Sequence, residues 1–188
     1  MSEPTNTSHG PPDQISDEAD QNQLEMAKAE GAAYQKSLDY MVNEVADTGG
    51  KQRAGDYIVG FAQERAEGMY MLKSEGQLEW TEPEDENCHL EVSVSDAADG
   101  RFIPYLKVYA KLIAGDGQTL SSTEIPFVWH PGVYHYGRNL KVPGAGRYTL
   151  HLRIEPPEFM RHDEVNGKRY AETVEVTFEG VEIKLGQE

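Results

Sequence analysis

The stretch Phe127–Gly137 reads Phe-Val-Trp-His-Pro-Gly-Val-Tyr-His-Tyr-Gly and sets two histidines, His130 and His135, around a Pro-Gly turn with Trp129, Tyr134 and Tyr136 beside them. Imidazole is a ligand for copper, zinc, iron and nickel, so a turn of this kind can hold a metal ion. Two other segments carry ligand-type side chains close together, Cys88-His89-Leu90-Glu91 and Met160-Arg161-His162-Asp163. If strands bring these segments to one place, His89, Glu91, His130, His135 and His162 make a donor set of imidazoles and a carboxylate on a rigid scaffold. None of them has local metal spacing such as His-x-x-x-His on a helix, so the same residues also fit solvated histidines on exposed strand faces. No Ser-His-Asp arrangement, phosphate-cradling glycine loop or nucleophile motif is present, and no enzyme chemistry is expected.

The elements that must position these residues are short strands. Cys88–Asp96 alternates, with Cys88, Leu90, Val92 and Val94 on one side and His89, Glu91, Ser93 and Ser95 on the other. The first set predicts a core face; His89 and Glu91 are expected on the opposite, accessible face. Cys88, the only cysteine, reads as an inert packing residue and excludes an internal disulfide. Further strands are predicted at Tyr57–Phe61, Met69–Leu72, Gln77–Thr81, Pro104–Ala114, Leu120–Val128, Arg138–Val142, Gly146–Ile154 and Glu172–Leu185, with His151 pointing outward and a bulge near Gly180, where the apolar set shifts by one residue. Short strands with turn signals at this spacing indicate an all-β, immunoglobulin-like antiparallel β-sandwich.

Ahead of the strands, Leu24, Ala27, Tyr34, Leu38, Met41, Val42 and Val45 recur at helical steps and predict an added N-terminal α-helix from Asp17 to Ala46, ended by Gly49-Gly50. The expected organisation is a disordered tail over 1–16, His9 included, the helix region over 17–50 and the sandwich over 51–188. The stripe on the helix must dock on the sandwich or on a second copy. No stretch approaches the ~20 apolar residues of a membrane span, and the first residues have neither the basic start nor the apolar core of a secretory leader. Acidic residues outnumber basic ones 33 to 17, for a formal net charge of -16, which repels nucleic acid and suits a solvated surface or cation attraction.

In order and rough spacing, His89-Leu90-Glu91, Ile103-Pro104-Tyr105-Leu106, Ile125-Pro126-Phe127, His135-Tyr136-Gly137, Ile154-Glu155-Pro156-Pro157 and Arg161-His162 resemble the bacterial extracytoplasmic ferrous-iron transport proteins, small copper-binding proteins of high-affinity iron uptake. The resemblance covers about residues 55–183. It implies an immunoglobulin-like sandwich, a homodimer, an extracytoplasmic location, a partner iron permease and a copper site that also accepts iron or manganese. The ligands it implies are His89, Glu91, His135 and His162. The family's Met-Pro-Met segment is Ile125-Pro126-Phe127 here, so the thioether is missing, and the loop carries the added His130.

Two functions of different class follow. One is a metal-binding accessory protein of iron uptake. The other is an immunoglobulin-like interaction module that binds a protein or sugar through the Trp129 and Tyr134 loop. For the first, imidazoles and a carboxylate without a thioether suit Cu(II), with an affinity that falls as pH drops through the reference histidine pKa of about 6.5.

Overall fold

The computed structural model describes residues 13–188; residues 1–12 of the expected tail, His9 among them, lie outside the described residues. Residues that follow them are tied down: Gln14 N–H donates to Asn166 Oδ1 at 2.9 Å and Ser16 Oγ to Asp163 Oδ2 at 2.7 Å. A helix, α1 (Gln21–Tyr40), leads into a π turn, Met41–Val45. The strands are β1 (Thr48–Ala54), β2 (Tyr57–Glu64), β3 (Met69–Ser74), β4 (Gln77–Thr81), β5 (Cys88–Asp96) and β6 (Val108–Ala114). They continue with β7 (Thr123–Ile125), β8 (Phe127–Val128), β9 (His135–Leu140), β10 (Gly146–Ile154) and β11 (Val174–Ile183). A five-stranded sheet, β1-β2-β5-β9-β8, faces a four-stranded sheet, β11-β10-β6-β7, and β3-β4 form a separate hairpin.

The period-two pattern sets this packing. Cys88, Leu90, Val92 and Val94 of β5 meet Val108, Ala110 and Leu112 of β6 and Leu150, Leu152 and Ile154 of β10 in one core between the sheets. The alternation predicted for Cys88–Asp96 is therefore the one observed, and so is the bulge: the β10–β11 register shifts between Tyr148 and Leu150, opposite Gly180. Two predicted strands are shorter than expected. Pro126, with no N–H to donate, splits Leu120–Val128, so that β7 pairs with β6 in one sheet and β8 with β9 in the other. Tyr105 has φ 64, and the Tyr136 hydroxyl donates to the Ile103 carbonyl at 2.8 Å and accepts from Leu106 N–H at 3.0 Å, which holds this segment out of the sheet until Val108.

The helix starts at a capping box in which Gln23 N–H donates to Asp20 Oδ1 and Asp20 N–H to Gln23 Oε1, both at 2.9 Å. It does not run to Gly49-Gly50. It ends in the π turn, and those glycines belong to β1, where a Cβ on Gly49 would lie 2.8 Å from the Val42 side chain. The apolar stripe docks on the protein's own five-stranded sheet: Leu38 and Met41 are buried with Ala62 and Val133, flanked by Tyr34, Val42 and Ala46. At Gly31 the backbones touch, since a Cβ there would lie 1.7 Å from the Asp99 carbonyl oxygen. Gly31→Ala is expected to destabilise by about 1–3 kcal/mol, because the clash is with backbone that cannot rotate away. Urea unfolding of the two proteins measures it, and an unchanged midpoint would show that the helix is not seated on the Asp99 turn.

Candidate metal centre

The outer face of the five-stranded sheet carries the ligand-type residues because β5 and β9 alternate in step. Glu91 stands opposite Ala62 of β2 and Gly137 of β9, and His89 stands opposite Asn139. These two small neighbours leave a hollow beside Glu91. The π turn and the loop before β9 roof it over, so His89 is 0% exposed and Glu91 4%. The face predicted to be accessible is thus buried: the register is as expected, but a second layer of chain covers it.

His89, Glu91 and His135 converge there, with one donor atom from each within 4.8 Å of the others. The distances are 3.1 Å from His135 Nε2 to Glu91 Oε1 and 3.7 Å from His89 Nε2 to the same oxygen. Each ring is oriented from behind. Asn139 Nδ2 donates to the Glu67 carbonyl at 2.7 Å, which leaves Oδ1 to accept from His89 Nδ1–H at 2.9 Å. His135 Nδ1–H donates to the Val133 carbonyl at 3.0 Å. Both rings therefore turn an Nε2 lone pair inward, the arrangement that fixes the tautomer of metal-ligating histidines. Among the described residues neither Nε2, nor Glu91 Oε2, has a hydrogen-bond partner, although all three are buried.

Buried polar atoms left in this way are unfavourable unless something else satisfies them. A tetrahedral ion with bonds of about 2.1 Å holds its donors about 3.4 Å apart, close to the spacing seen, so the residues fit a divalent metal. Desolvation sets the protonation states without one. It pushes the His89 imidazole down and the His135 imidazole down to about 4. It lifts the Glu91 carboxyl to about 8, with Glu64 and Glu67 adding repulsion. Burial thus opposes an ion pair between His135 and Glu91.

A cleft of about 410 Å³ leads to Glu91 between the π turn, through Met41 and Val45, and the loop residues His130, Gly132 and Val133, with Glu64 and Glu67 at its side. Met41 packs with Leu38, Ala62 and Val133. Gly137 leaves room beneath the centre: a Cβ would lie 3.0 Å from His89 Nε2 and 3.2 Å from His135 Cδ2 and would push on both rings.

Two predicted ligands are not in the set. His130 Nδ1 accepts from Gly132 N–H at 3.0 Å and Val133 N–H at 3.2 Å, capping the Pro-Gly turn. A neutral ring used in this way carries its hydrogen on Nε2, so His130 walls the cleft without offering a lone pair. The side chain of His162 is 90% exposed, on the loop after β10, with Nδ1 2.9 Å from Glu18 Oε2. Glu18 precedes α1, and the π turn over the centre follows it, so the length of a 20-residue helix, about 30 Å, lies between the two places. His151 is on the other sheet beside Glu175. Cys88 is buried in the core and its thiol is pushed up to about 12 by desolvation, in keeping with an inert residue.

The sequence reading missed Asn139 and Glu67. Asn139 becomes legible once β9 is registered against β5, which places it opposite His89. Glu67 lies between strands and has no periodic signal.

The family described as "Fe2+ transport protein" matches residues 66–182, more than half of the chain. The UPF0423 proteins of Brucella abortus (strain 2308) and Brucella suis biovar 1 (strain 1330) are 35% identical over 86 residues, 42% of this chain and 47% of theirs. The chain thus spans about half the length of the curated relatives it matches. Among solved structures, FetP of a uropathogenic E. coli strain is 22% identical with a TM-score of 0.58, covering 71% of this chain and 93% of FetP. A copper-bound variant of Campylobacter jejuni P19 is 18% identical with a TM-score of 0.59, covering 72% and 95%. The sandwich is theirs, α1 precedes the residues that the family matches, and the chain belongs to the Fe2+ transport protein family.

Proposed function

We propose that this protein is a metal-binding accessory protein of high-affinity iron uptake and not an enzyme, that it binds Cu(II) and ferrous iron at His89, Glu91 and His135, and that it acts outside the cytoplasmic membrane beside an iron permease. The observation that carries the metal site is the meeting of three buried donors, two Nε2 atoms and the Glu91 carboxyl, that no group among the described residues satisfies. Family membership and the copper-bound states of FetP and P19 support the choice of metals. A P19 variant with isoleucine in place of a methionine is itself copper-bound, which favours copper here despite the missing thioether. An extracytoplasmic place is supported by FetP, which was expressed in the periplasm. Among the described residues no helix is long and apolar enough to cross a membrane. Calorimetric titration with Cu(II) tests the function: one tight site per chain is expected, and the absence of heat at pH 8 would refute it.

A homodimer is part of this proposal, on a different surface from the one the sequence suggests. The helix stripe is used within the chain. By contrast, Tyr70 and Leu72 of β3 stand opposite Trp80 and Leu78 of β4, and all four are exposed on one face of a hairpin that pairs with neither sheet. A two-stranded ribbon is marginal alone, and a second copy laid on this face would stabilise it. Sedimentation at micromolar concentration should give a dimer that Leu72→Asp converts to a monomer. A monomeric parent would refute the dimer and leave the metal site standing.

A further inference from the structure

Glu67 is outside the donor set implied by the family, yet its Oε1 lies 3.6 Å from His89 Nε2, as near as Glu91 Oε1 at 3.7 Å. Two carboxylates from different segments thus converge on one buried imidazole nitrogen that has no hydrogen-bond partner among the described residues. Both separations are too long for a hydrogen bond and near the spacing of two donors on one ion, with Glu67 beside the cluster of His89, Glu91 and His135 and not within it.

Glu67 is also held for this role. Its N–H donates to Asn139 Oδ1 at 3.3 Å and its carbonyl accepts from Asn139 Nδ2 at 2.7 Å, while the same amide orients His89. One side chain therefore fixes the place of both residues, and the Glu67 carboxylate is left free of that task. It lines the cleft with Glu64 and Glu91, with its side chain 39% exposed. It meets His89 on one side and solvent on the other, where an arriving cation would first be bound. The added donor is a hard oxygen and not soft sulfur. Carboxylate oxygen suits Mn(II), whereas imidazole nitrogen suits copper and iron.

We propose that Glu67 is a fourth ligand of the centre, on its solvent side, and that it determines specificity by favouring hard divalent ions over copper. This rests on metal binding by His89, Glu91 and His135. The test is calorimetric titration of the full chain with Mn(II) and, separately, Cu(II) at pH 8, for the parent, Glu67→Gln and Glu64→Gln. The Glu67 main chain keeps its bonds to Asn139 in the variant, so the fold is retained. Glu67→Gln should weaken Mn(II) about tenfold or more and Cu(II) by less than about threefold. Glu64→Gln, which removes a charge that repels Glu91 without removing a ligand, should change Mn(II) and Cu(II) by the same factor. Unchanged Mn(II) affinity in Glu67→Gln, with the parent binding normally, overturns Glu67 as a ligand and leaves the centre intact. Equal losses of the two metals overturn the specificity role. A parent that binds neither metal removes the centre itself, and the role of Glu67 with it.

Discussion

His135→Ala is expected to lower Cu(II) affinity by at least about a hundredfold, roughly 2.7 kcal/mol, while His162→Ala and His151→Ala leave it unchanged. The difference follows from position. His135 turns a buried Nε2 toward Glu91 at 3.1 Å, and its other nitrogen is fixed on the Val133 carbonyl. Alanine would remove one of two imidazole donors and leave Glu91 buried beside a cavity. His162 is held by Glu18 at the far end of α1, and His151 lies on the opposite sheet. Calorimetric titration of the three variants checks this. A loss in His162→Ala equal to that in His135→Ala would place His162 in the site, through a conformation or assembly that a single chain does not adopt.

The second large effect is on pH. Histidine deprotonation would set the midpoint near 6.5, as the sequence suggests, but burial lowers the His89 imidazole below its ordinary value and the His135 imidazole to about 4. The competing proton is on Glu91, whose carboxyl is lifted to about 8. A metal must displace it. Below pH 8 the apparent affinity should therefore fall about tenfold per pH unit, with about one proton released per ion bound, and above it the dependence should flatten. Stability of the metal-free protein follows the same linkage. The raised Glu91 value favours the folded state below the unfolded carboxyl pKa of 4.5, and this contribution is lost as pH rises from 4.5 to 8. The depressed His135 value acts oppositely: its contribution is present above 6.5 and lost as pH falls toward 4. Titrations at pH 6, 7 and 8 in buffers of different ionisation heat measure the proton count. Affinity that breaks at 6.5 and is flat from 7 to 8 would return the control to histidine.

Much of the scaffold was legible because strand burial is written in alternation. Leu90 and Val92 pointing one way required His89 and Glu91 to point the other, and β5 and β10 have the faces predicted for them. The accessibility of that outer face was not legible. Whether a helix stripe docks on its own sheet or on another chain depends on a surface that periodicity does not describe, here Ala62, the Ser93 and Ser95 hydroxyls and the backbone at Asp99. Tyr34 Oη meets Ser93 Oγ at 2.8 Å and Gln35 Nε2 donates to Ser95 Oγ at 2.8 Å, polar contacts that no hydrophobic pattern records. In the centre, His89, Glu91 and His135 could be assigned from the family motifs, whereas His130 could not be judged without seeing that its Nδ1 caps a turn. Glu67 required the fold, since only tertiary packing brings a residue between two strands against His89.

Equilibrium dialysis against Cu(II) at pH 8 followed by elemental analysis tests metal binding in this hollow most directly. The parent protein should retain one copper per chain, and a His89→Ala, His135→Ala double variant that still folds should retain none. A parent that retains no metal, or a double variant that retains as much as the parent, would contradict the site and leave an immunoglobulin-like interaction module presenting Trp129.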